Sequence, residues 1–320
     1  MKPVEEAFAS ETFRRIVLPG IVLTIGIHPL IARWASPGIS LYGVDPAVLM
    51  VVEIIFLGMV ASSAIQWIYY VYEGFRIQWL TKPAGRLNQR RVRKLTETRR
   101  ELAALSSRSE SQDMELNKAY EALLDFPVRR QADGSMEYFS ERPTRLGNIV
   151  ASYELYPESR YGVDGVFYWF HLLSLAPQET RKEFAEKYGF AESLILASFS
   201  GAIVAVLHAV TLAGFGIGRI SHRLVFVVLG AGPKASAFLL VFGIVMWLLF
   251  YAAALPAHRE AGKIFQCMVD TAMPSFAKWL TEVKVPIGEI TAQQFERVER
   301  YLKEPSNPGS EWVSQELVDE

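Results

Sequence analysis

The feature that most constrains this chain is a stretch that begins at Pro46 as an apolar run and ends near Leu105 as a strongly basic one. Its apolar part, residues 47–72, is interrupted only by the strongly polar Glu53 and Gln66. A helix of that length can cross the hydrocarbon core of a bilayer, which takes about 20 residues. A soluble domain would instead distribute its apolar residues at the period of a helix or strand. The stretch therefore predicts an integral membrane protein.

Three further apolar runs have the length of a membrane span. They cover residues 16–32, which is near the short limit, residues 194–217 and residues 235–255. Together with the 47–72 run they predict an all-α, polytopic membrane protein with four transmembrane helices. The long charged segment between the second and third runs also has apolar residues at helical spacing, so we expect a helical cytoplasmic domain there.

The four runs divide the chain into five segments. We expect a first transmembrane hairpin, a cytoplasmic helical domain, a second transmembrane hairpin, cytoplasmic C-terminal helices and a flexible tail. In that order the segments cover residues 1–72, 73–190, 191–256, 257–304 and 305–320. Within the cytoplasmic domain, residues 86–125 are predicted to form a helical hairpin, and Pro83 and Gly85 predict a helix break before it.

The distribution of Lys and Arg gives the expected orientation. Between Glu73 and Arg100 there are nine basic residues and two acidic ones. Counted over all membrane flanks, seventeen basic residues lie on one side of the membrane and four on the other. Because loops retained in the cytoplasm are enriched in Lys and Arg, both termini and residues 73–190 are predicted to be cytoplasmic.

A string of motifs follows the basic block: Arg142-Pro-Thr-Arg-Leu-Gly-Asn148, Glu154-Leu-Tyr-Pro157, Arg160-Tyr-Gly-Val-Asp164 and Trp169. This string resembles a family of uncharacterised bacterial four-span membrane proteins. Tyr72-Glu-Gly74 and residues 251–270 are similar to the same family, although Phe170 stands where the family has a proline. The resemblance implies a four-span topology and a bacterial source, and it implies no activity.

Glu53 is the polar residue within a span that most suggests a function. At 1.5 Å rise per residue it lies about 10 Å below the predicted outer end of its span. A carboxylate at that depth is costly unless it is paired, protonated or in contact with water. His28 and His208 are predicted to lie at a similar depth, so the three residues form a candidate proton-responsive or ion-attracting cluster. The alternative is that Glu53 hydrogen-bonds to a neighbouring helix and that both histidines only pack.

The motif string carries a second set of polar residues. We predict an ion-pair and capping network that holds the cytoplasmic domain together or docks it onto a neighbouring subunit. Its members are Arg145, Asn148, Glu154, Arg160 and Asp164. Binding of an anionic ligand by Arg142 and Arg145 is the alternative interpretation.

The sequence contains no motif of a known chemistry. It lacks an ordered Ser/His/Asp or Cys/His set, an HExxH helix, a Walker loop and a CxxC pair. His171 stands alone and the single Cys267 has no cysteine partner, so no metal or cofactor is predicted. A net charge of −1 and a basic block that is poor in aromatic residues argue against a nucleic-acid partner.

These observations predict a homo-oligomeric, multi-pass protein of the bacterial inner membrane that contacts the lipid bilayer. Its most concrete predicted function is a gated pore for ions or small solutes, with a cytoplasmic domain that carries assembly and gating. The alternative is a non-conducting scaffold that recruits a cytoplasmic protein partner through residues 86–125 and 142–190. No enzymatic activity is predicted.

Overall fold

The structure is a computed structural model that describes residues 11–39, 45–75, 78–131, 135–216 and 232–282. The predicted flexible tail, residues 305–320, and the predicted C-terminal helices beyond residue 282 lie outside the described residues. The chain forms two compact units. The first unit contains the residues up to Val71 together with Glu186–Ala257, and the second contains Tyr72–Ala185 together with the residues from His258 onward.

The described residues are predominantly helical, as the all-α prediction requires. Their ten helices are α1 (Glu11–Ile39), α2 (Pro46–Ser63), α3 (Ile65–Glu73), α4 (Gln78–Ala103), α5 (Glu110–Leu123), α6 (Arg145–Glu154), α7 (Tyr156–Tyr161), α8 (Trp169–Leu175), α9 (Gln178–Gly216) and α10 (Pro233–Glu282). The sequence interpretation missed one small sheet, in which β1 (Val128–Arg130) pairs antiparallel with β2 (Met136–Tyr138). Strands of three residues are too short to produce a recognisable alternation.

Three of these helices are long and apolar enough to cross a membrane. They are α2 over Pro46–Ser63, α9 over Gln178–Gly214 and α10 over Pro233–Trp279. Each contains all or most of the apolar run that predicted it. The remaining predicted span, residues 16–32, lies within α1, whose side chains are described only as far as Pro29.

The predicted 47–72 span is not one helix, because α2 ends at Ser63 and α3 begins at Ile65. At the break the backbone N–H of Ala64 donates to the carbonyl of Ala61 at 3.2 Å. The hydroxyl of Ser63 donates to the carbonyl of Val60 at 2.7 Å. Serine hydroxyls that bond back to the preceding turn compete with the helical hydrogen bonds and bend helices, which accounts for the interruption.

The predicted helix break at Pro83 and Gly85 is absent, since α4 continues through both residues. Pro83 lies in the second turn of α4, where its missing N–H removes a single intrahelical hydrogen bond. The expected helical hairpin is present as α4 and α5, and Ser109 and Gln112 form a capping box at the start of α5. A small core of Val92, Leu123 and Phe126 lies between the two helices.

The helices of the first unit approach one another at small residues. A side chain at Gly58 of α2 would overlap the backbone of Ile16 in α1. A Cβ at Gly201 of α9 would lie 2.5 Å from the backbone nitrogen of Trp247 in α10. Such close backbone approaches are the usual way in which membrane helices pack, because lipid supplies no hydrophobic drive between them.

The second unit has an aromatic core. The ring of Trp169 in α8 stacks on that of Phe265 in α10 at 5.2 Å and meets that of Phe184 in α9 at 5.6 Å. Leu172 is fully buried, whereas the neighbouring Phe170 is 78% exposed. The short apolar run around Trp169, too short to span a bilayer, therefore contributes Tyr168, Trp169 and Leu172 to this core and leaves Val166, Phe167 and Phe170 exposed.

Candidate functional site

His28 and Glu53 form a direct pair in the first unit. The Nδ1 atom of His28 lies 2.8 Å from Oε2 of Glu53, so the crossing of α1 and α2 brings the two side chains together. The His28 side chain is 41% exposed and that of Glu53 is 17% exposed. The other carboxylate oxygen, Oε1, has no hydrogen-bond partner among the described residues. An imidazole beside a carboxylate can bind and release a proton and can attract a cation.

His208, the third member of the predicted cluster, is fully buried on α9. Its Nε2 atom lies 3.0 Å from the carbonyl oxygen of Gly26, two residues before His28 on α1. Because a carbonyl can only accept, Nε2 carries the proton in this contact. Its Nδ1 atom has no hydrogen-bond partner among the described residues. The three predicted residues thus lie on three helices, with α1 contacting both partners.

In the second unit, Arg142 lies between two carboxylates, and we call this group the Arg142 cluster. Its Nη1 atom is 2.9 Å from Oε2 of Glu73, and its Nη2 atom donates to Oε2 of Glu154 at 2.5 Å. The guanidinium also lies 5.1 Å from the centre of the Phe75 ring. Burial raises the pKa of Glu73 to about 7, Arg142 opposes this shift, and the charge of Glu154 adds to it.

Asn148 explains why the segment that carries Arg142 holds its shape. The Asn148 side chain is fully buried, and its Oδ1 accepts the backbone N–H of Arg142 at 3.0 Å. Its Nδ2 donates to the carbonyls of Arg142 and Thr144 at 2.6 and 2.8 Å. Thr144 in turn caps α6 by accepting the N–H of Gly147 at 2.9 Å. The Asn148 amide therefore fixes the loop from which the Arg142 side chain extends.

Asp125 is the centre of a second group, the Asp125 cluster. This residue is fully buried and accepts from Arg145 Nε at 3.2 Å and from Arg259 Nη2 at 2.7 Å. Arg259 also donates through Nε to the other carboxylate oxygen. The hydrogen bonds to Asp125 raise the pKa of Arg259. One carboxylate thus joins two guanidiniums that are 114 positions apart in the sequence.

The remaining predicted polar residues have local or tyrosine partners. Asp270 on α10 accepts from the hydroxyls of Tyr156 and Tyr161 at 2.9 and 2.7 Å. Burial, together with this acidic partner, raises the pKa of Tyr156. Arg160 acts electrostatically on the same two tyrosines. Asp164 accepts the backbone N–H groups two and three positions further on, which caps its own turn.

The five residues predicted as one network therefore belong to separate groups. Asn148 and Glu154 serve the Arg142 cluster, Arg145 serves the Asp125 cluster, and Arg160 and Asp164 belong to neither. Sequence reasoning missed the partners Glu73, Asp125, Arg259 and Asp270, which lie outside the motif string. Binding of an anionic ligand would require Arg142 and Arg145 to be available to that ligand. Carboxylates of the chain already engage both arginines.

A groove of about 500 Å³ lies between α4 and the segment 137–140. The α4 side presents Arg93, Thr96 and Arg100, and the opposite side presents Glu137 and Tyr138. The hydroxyl of Thr96 is buried and has no hydrogen-bond partner among the described residues. Among the described residues, neither Arg93 nor Arg100 forms an ion pair. The lining of the groove combines apolar residues with both basic and acidic side chains.

Within the residues whose side chains are described, no three His, Cys, Asp or Glu side chains converge closely enough to hold a metal ion. No protein-family model, curated protein or solved structure matches this chain. The resemblance that the motif string suggests therefore stays a prediction.

Proposed function

We propose that this chain is a four-span, homo-oligomeric protein of the bacterial inner membrane that forms a gated pore for ions or small solutes. Both termini and the second unit would be cytoplasmic. The three apolar helices α2, α9 and α10 support membrane residence. The excess of Lys and Arg after α3 supports the orientation.

The His28–Glu53 pair is the observation that carries the proposal. In the isolated chain the His28 side chain is 41% exposed. Glu53 belongs to an otherwise apolar helix. Charged or strongly polar groups that face lipid are costly, and membrane proteins place them against protein or along water-filled paths. A water-filled path lined by neighbouring copies would remove this cost for the pair.

The exposure of α2 supports self-association. Only 11% of the apolar 18-residue stretch of α2 is buried within the chain, whereas 61% of the corresponding stretch of α9 is buried. Large side chains such as those of Val52 and Phe56 are more than half exposed. In the proposed assembly part of this surface contacts lipid, and the face of α2 that carries Glu53 lines the water-filled path. Other copies of the chain provide the remaining walls.

The first experiment measures the stoichiometry and shape of the detergent-purified full-length protein by light scattering and low-resolution imaging. We expect a ring of four or more subunits around an axial opening. A monomer, or a dimer without an opening, would overturn the pore.

Conductance tests the role of the pair directly. In planar bilayers we expect Glu53→Gln to lower cation conductance several-fold, since it removes the negative charge beside the path. Glu192→Gln is the matched control because it makes the same change in the first unit, where Glu192 pairs with Arg15 at 3.1 Å. Equal conductance of the wild type and Glu53→Gln would contradict the proposal.

The groove beside α4 favours the second candidate, a scaffold that recruits a cytoplasmic protein. It lies on the hairpin predicted to bind a partner, and Arg93 and Arg100 offer charges that no described residue engages in an ion pair. A scaffold predicts that Arg93→Glu with Arg100→Glu abolishes capture of a partner while Glu53→Gln has no effect. A pore predicts instead that Glu53→Gln lowers the conductance and that the double variant at Arg93 and Arg100 leaves it unchanged.

A further inference from the structure

The Arg142 cluster has an unusual charge balance for a buried site. Two carboxylates, those of Glu73 and Glu154, share one guanidinium, so full ionisation leaves a net charge of −1. The side chains of Arg142 and Glu73 are only 14% and 11% exposed. A net charge in such a site is poorly solvated, and the binding of one proton removes it.

The Asp125 cluster has the opposite composition, with one carboxylate and two guanidiniums. A proton added there would increase the net charge instead of removing it. Of these two clusters of described residues, only the Arg142 cluster gains neutrality by binding a proton.

Exposure decides which carboxylate of the Arg142 cluster takes the proton. The Glu154 side chain is 32% exposed and keeps contact with water, whereas that of Glu73 is 11% exposed. Among the described residues, the charged groups that act on Glu73 are Arg142 from the loop and Glu154 from α6. Arg145, also on α6, is engaged by Asp125. We propose that Glu73 is a proton-binding site that is occupied at mildly acidic pH and emptied as the pH rises.

The direction of the Glu73 pKa agrees with this assignment. Burial and the neighbouring carboxylate raise the pKa from an ordinary 4.5 to about 7, against the influence of Arg142. The folded chain therefore binds this proton more tightly than the unfolded chain does. By linkage, the free energy of unfolding falls as the pH rises from about 4.5 to about 7.

The position of Glu73 gives the proton a structural consequence. Glu73 is the last residue of α3, and it is followed by Gly74 with a backbone φ of 91°. Its carbonyl oxygen lies 2.9 Å from the place of a Cβ on Gly147 of α6. Proton binding thus changes the charge at the point where the end of α3 contacts the motif string. This inference concerns protonation and does not depend on conduction.

Infrared spectroscopy of the purified full-length protein tests the site. We expect a protonated-carboxyl band that disappears with a midpoint near pH 7. The band is absent from Glu73→Gln. In Glu154→Gln its midpoint moves to lower pH, because the second negative charge is gone while Arg142 remains. Glu192→Gln, which alters a carboxylate paired with Arg15 in the first unit, leaves the band and its midpoint unchanged.

Thermal unfolding provides the second readout. The wild type is expected to lose several degrees of midpoint temperature between pH 5 and pH 8, and Glu73→Gln is expected to lose less. A band that persists in Glu73→Gln would overturn the site, as would an unchanged midpoint in Glu154→Gln. If Glu73→Gln does not fold, the pH midpoint of the band in Glu154→Gln tests the site by itself.

Discussion

At the scale of single residues, the second unit depends on side chains that satisfy several partners at once. Arg142 joins two carboxylates, Asp125 joins two guanidiniums, and Asp270 accepts from two tyrosines. Asn148 fixes the loop before α6 through four hydrogen bonds. Removing one member of such a group leaves buried polar atoms unpaired, which costs more than a surface hydrogen bond contributes.

Asn148→Leu is the sharpest test of this view. The change leaves the N–H of Arg142 and the carbonyls of Arg142 and Thr144 without their buried partner. We expect it to lower the free energy of unfolding by about 3 kcal/mol or more. Denaturant titration followed by tryptophan fluorescence measures the loss.

The control for Asn148→Leu is Asn88→Ala, which removes one partly buried hydrogen bond to the carbonyl of Pro143. We expect a cost of about 1 kcal/mol for that change. Similar losses of unfolding free energy in the two variants would show that the Asn148 amide contributes no more than a single hydrogen bond.

At the scale of elements, the two units use different contacts between their helices. In the first unit α9 and α10 approach at Gly201 and Gly243, where neither helix has room for a side chain. Ser198 also donates across this contact to the carbonyl of Trp247 at 2.9 Å. In the second unit large rings fill the space between helices, as the stacking of Trp169 on Phe265 illustrates.

Two glycine substitutions should therefore have opposite effects. Gly201→Ala places a methyl group 2.5 Å from the backbone nitrogen of Trp247 and 2.9 Å from the carbonyl oxygen of Gly243. Backbone atoms cannot move aside as a flexible side chain does, so we expect a loss of about 1–3 kcal/mol.

In Gly85→Ala the new Cβ meets only an ordinary contact at 3.6 Å with Pro143, so the helix propensity of alanine contributes up to about 1 kcal/mol of stability. Thermal midpoints of both variants in the same detergent measure the difference. A midpoint for Gly201→Ala at or above that of the wild type would contradict the tight contact between α9 and α10.

At the scale of the whole molecule, the two units have boundaries at Val71, Ala185 and Ala257. The first unit contains α2 and the apolar parts of α9 and α10, whereas the second contains the basic helix α4. The proposed topology places the second unit in the cytoplasm.

Cysteine labelling tests this orientation. Cys267 is the single cysteine of the chain, and it is exposed on α10 within the second unit. A membrane-impermeant maleimide should label Cys267 in inverted vesicles and leave it unlabelled in intact spheroplasts. Labelling in intact spheroplasts would contradict the topology.

Gly232→Cys in a Cys267→Ser background is the opposite control. Gly232 lies on the predicted outer side, and no atom of the described residues lies within 4 Å of a Cβ at that position. The new thiol should therefore be labelled from outside. An unlabelled thiol in intact spheroplasts that becomes labelled in inverted vesicles would show the reverse orientation.

The sequence by itself determined the features that depend on neighbours along the chain. The apolar helices α2, α9 and α10 follow from local composition, because a span must be apolar over its whole length. The α4–α5 hairpin follows from signals within a few residues or turns. Glu53 was identifiable as costly in its apolar surroundings, with no packing information needed.

Only the tertiary structure decided which charged groups meet. Glu73 reaches Arg142 across 69 positions and Asp125 reaches Arg259 across 134 positions, so no local pattern links them. The continuation of α4 through Pro83 and the end of α2 at Ser63 are also absent from the sequence interpretation. Local composition determines which segments become helical. The pairing of buried charges depends instead on which distant elements pack together, because packings that leave a buried charge unpaired are costly.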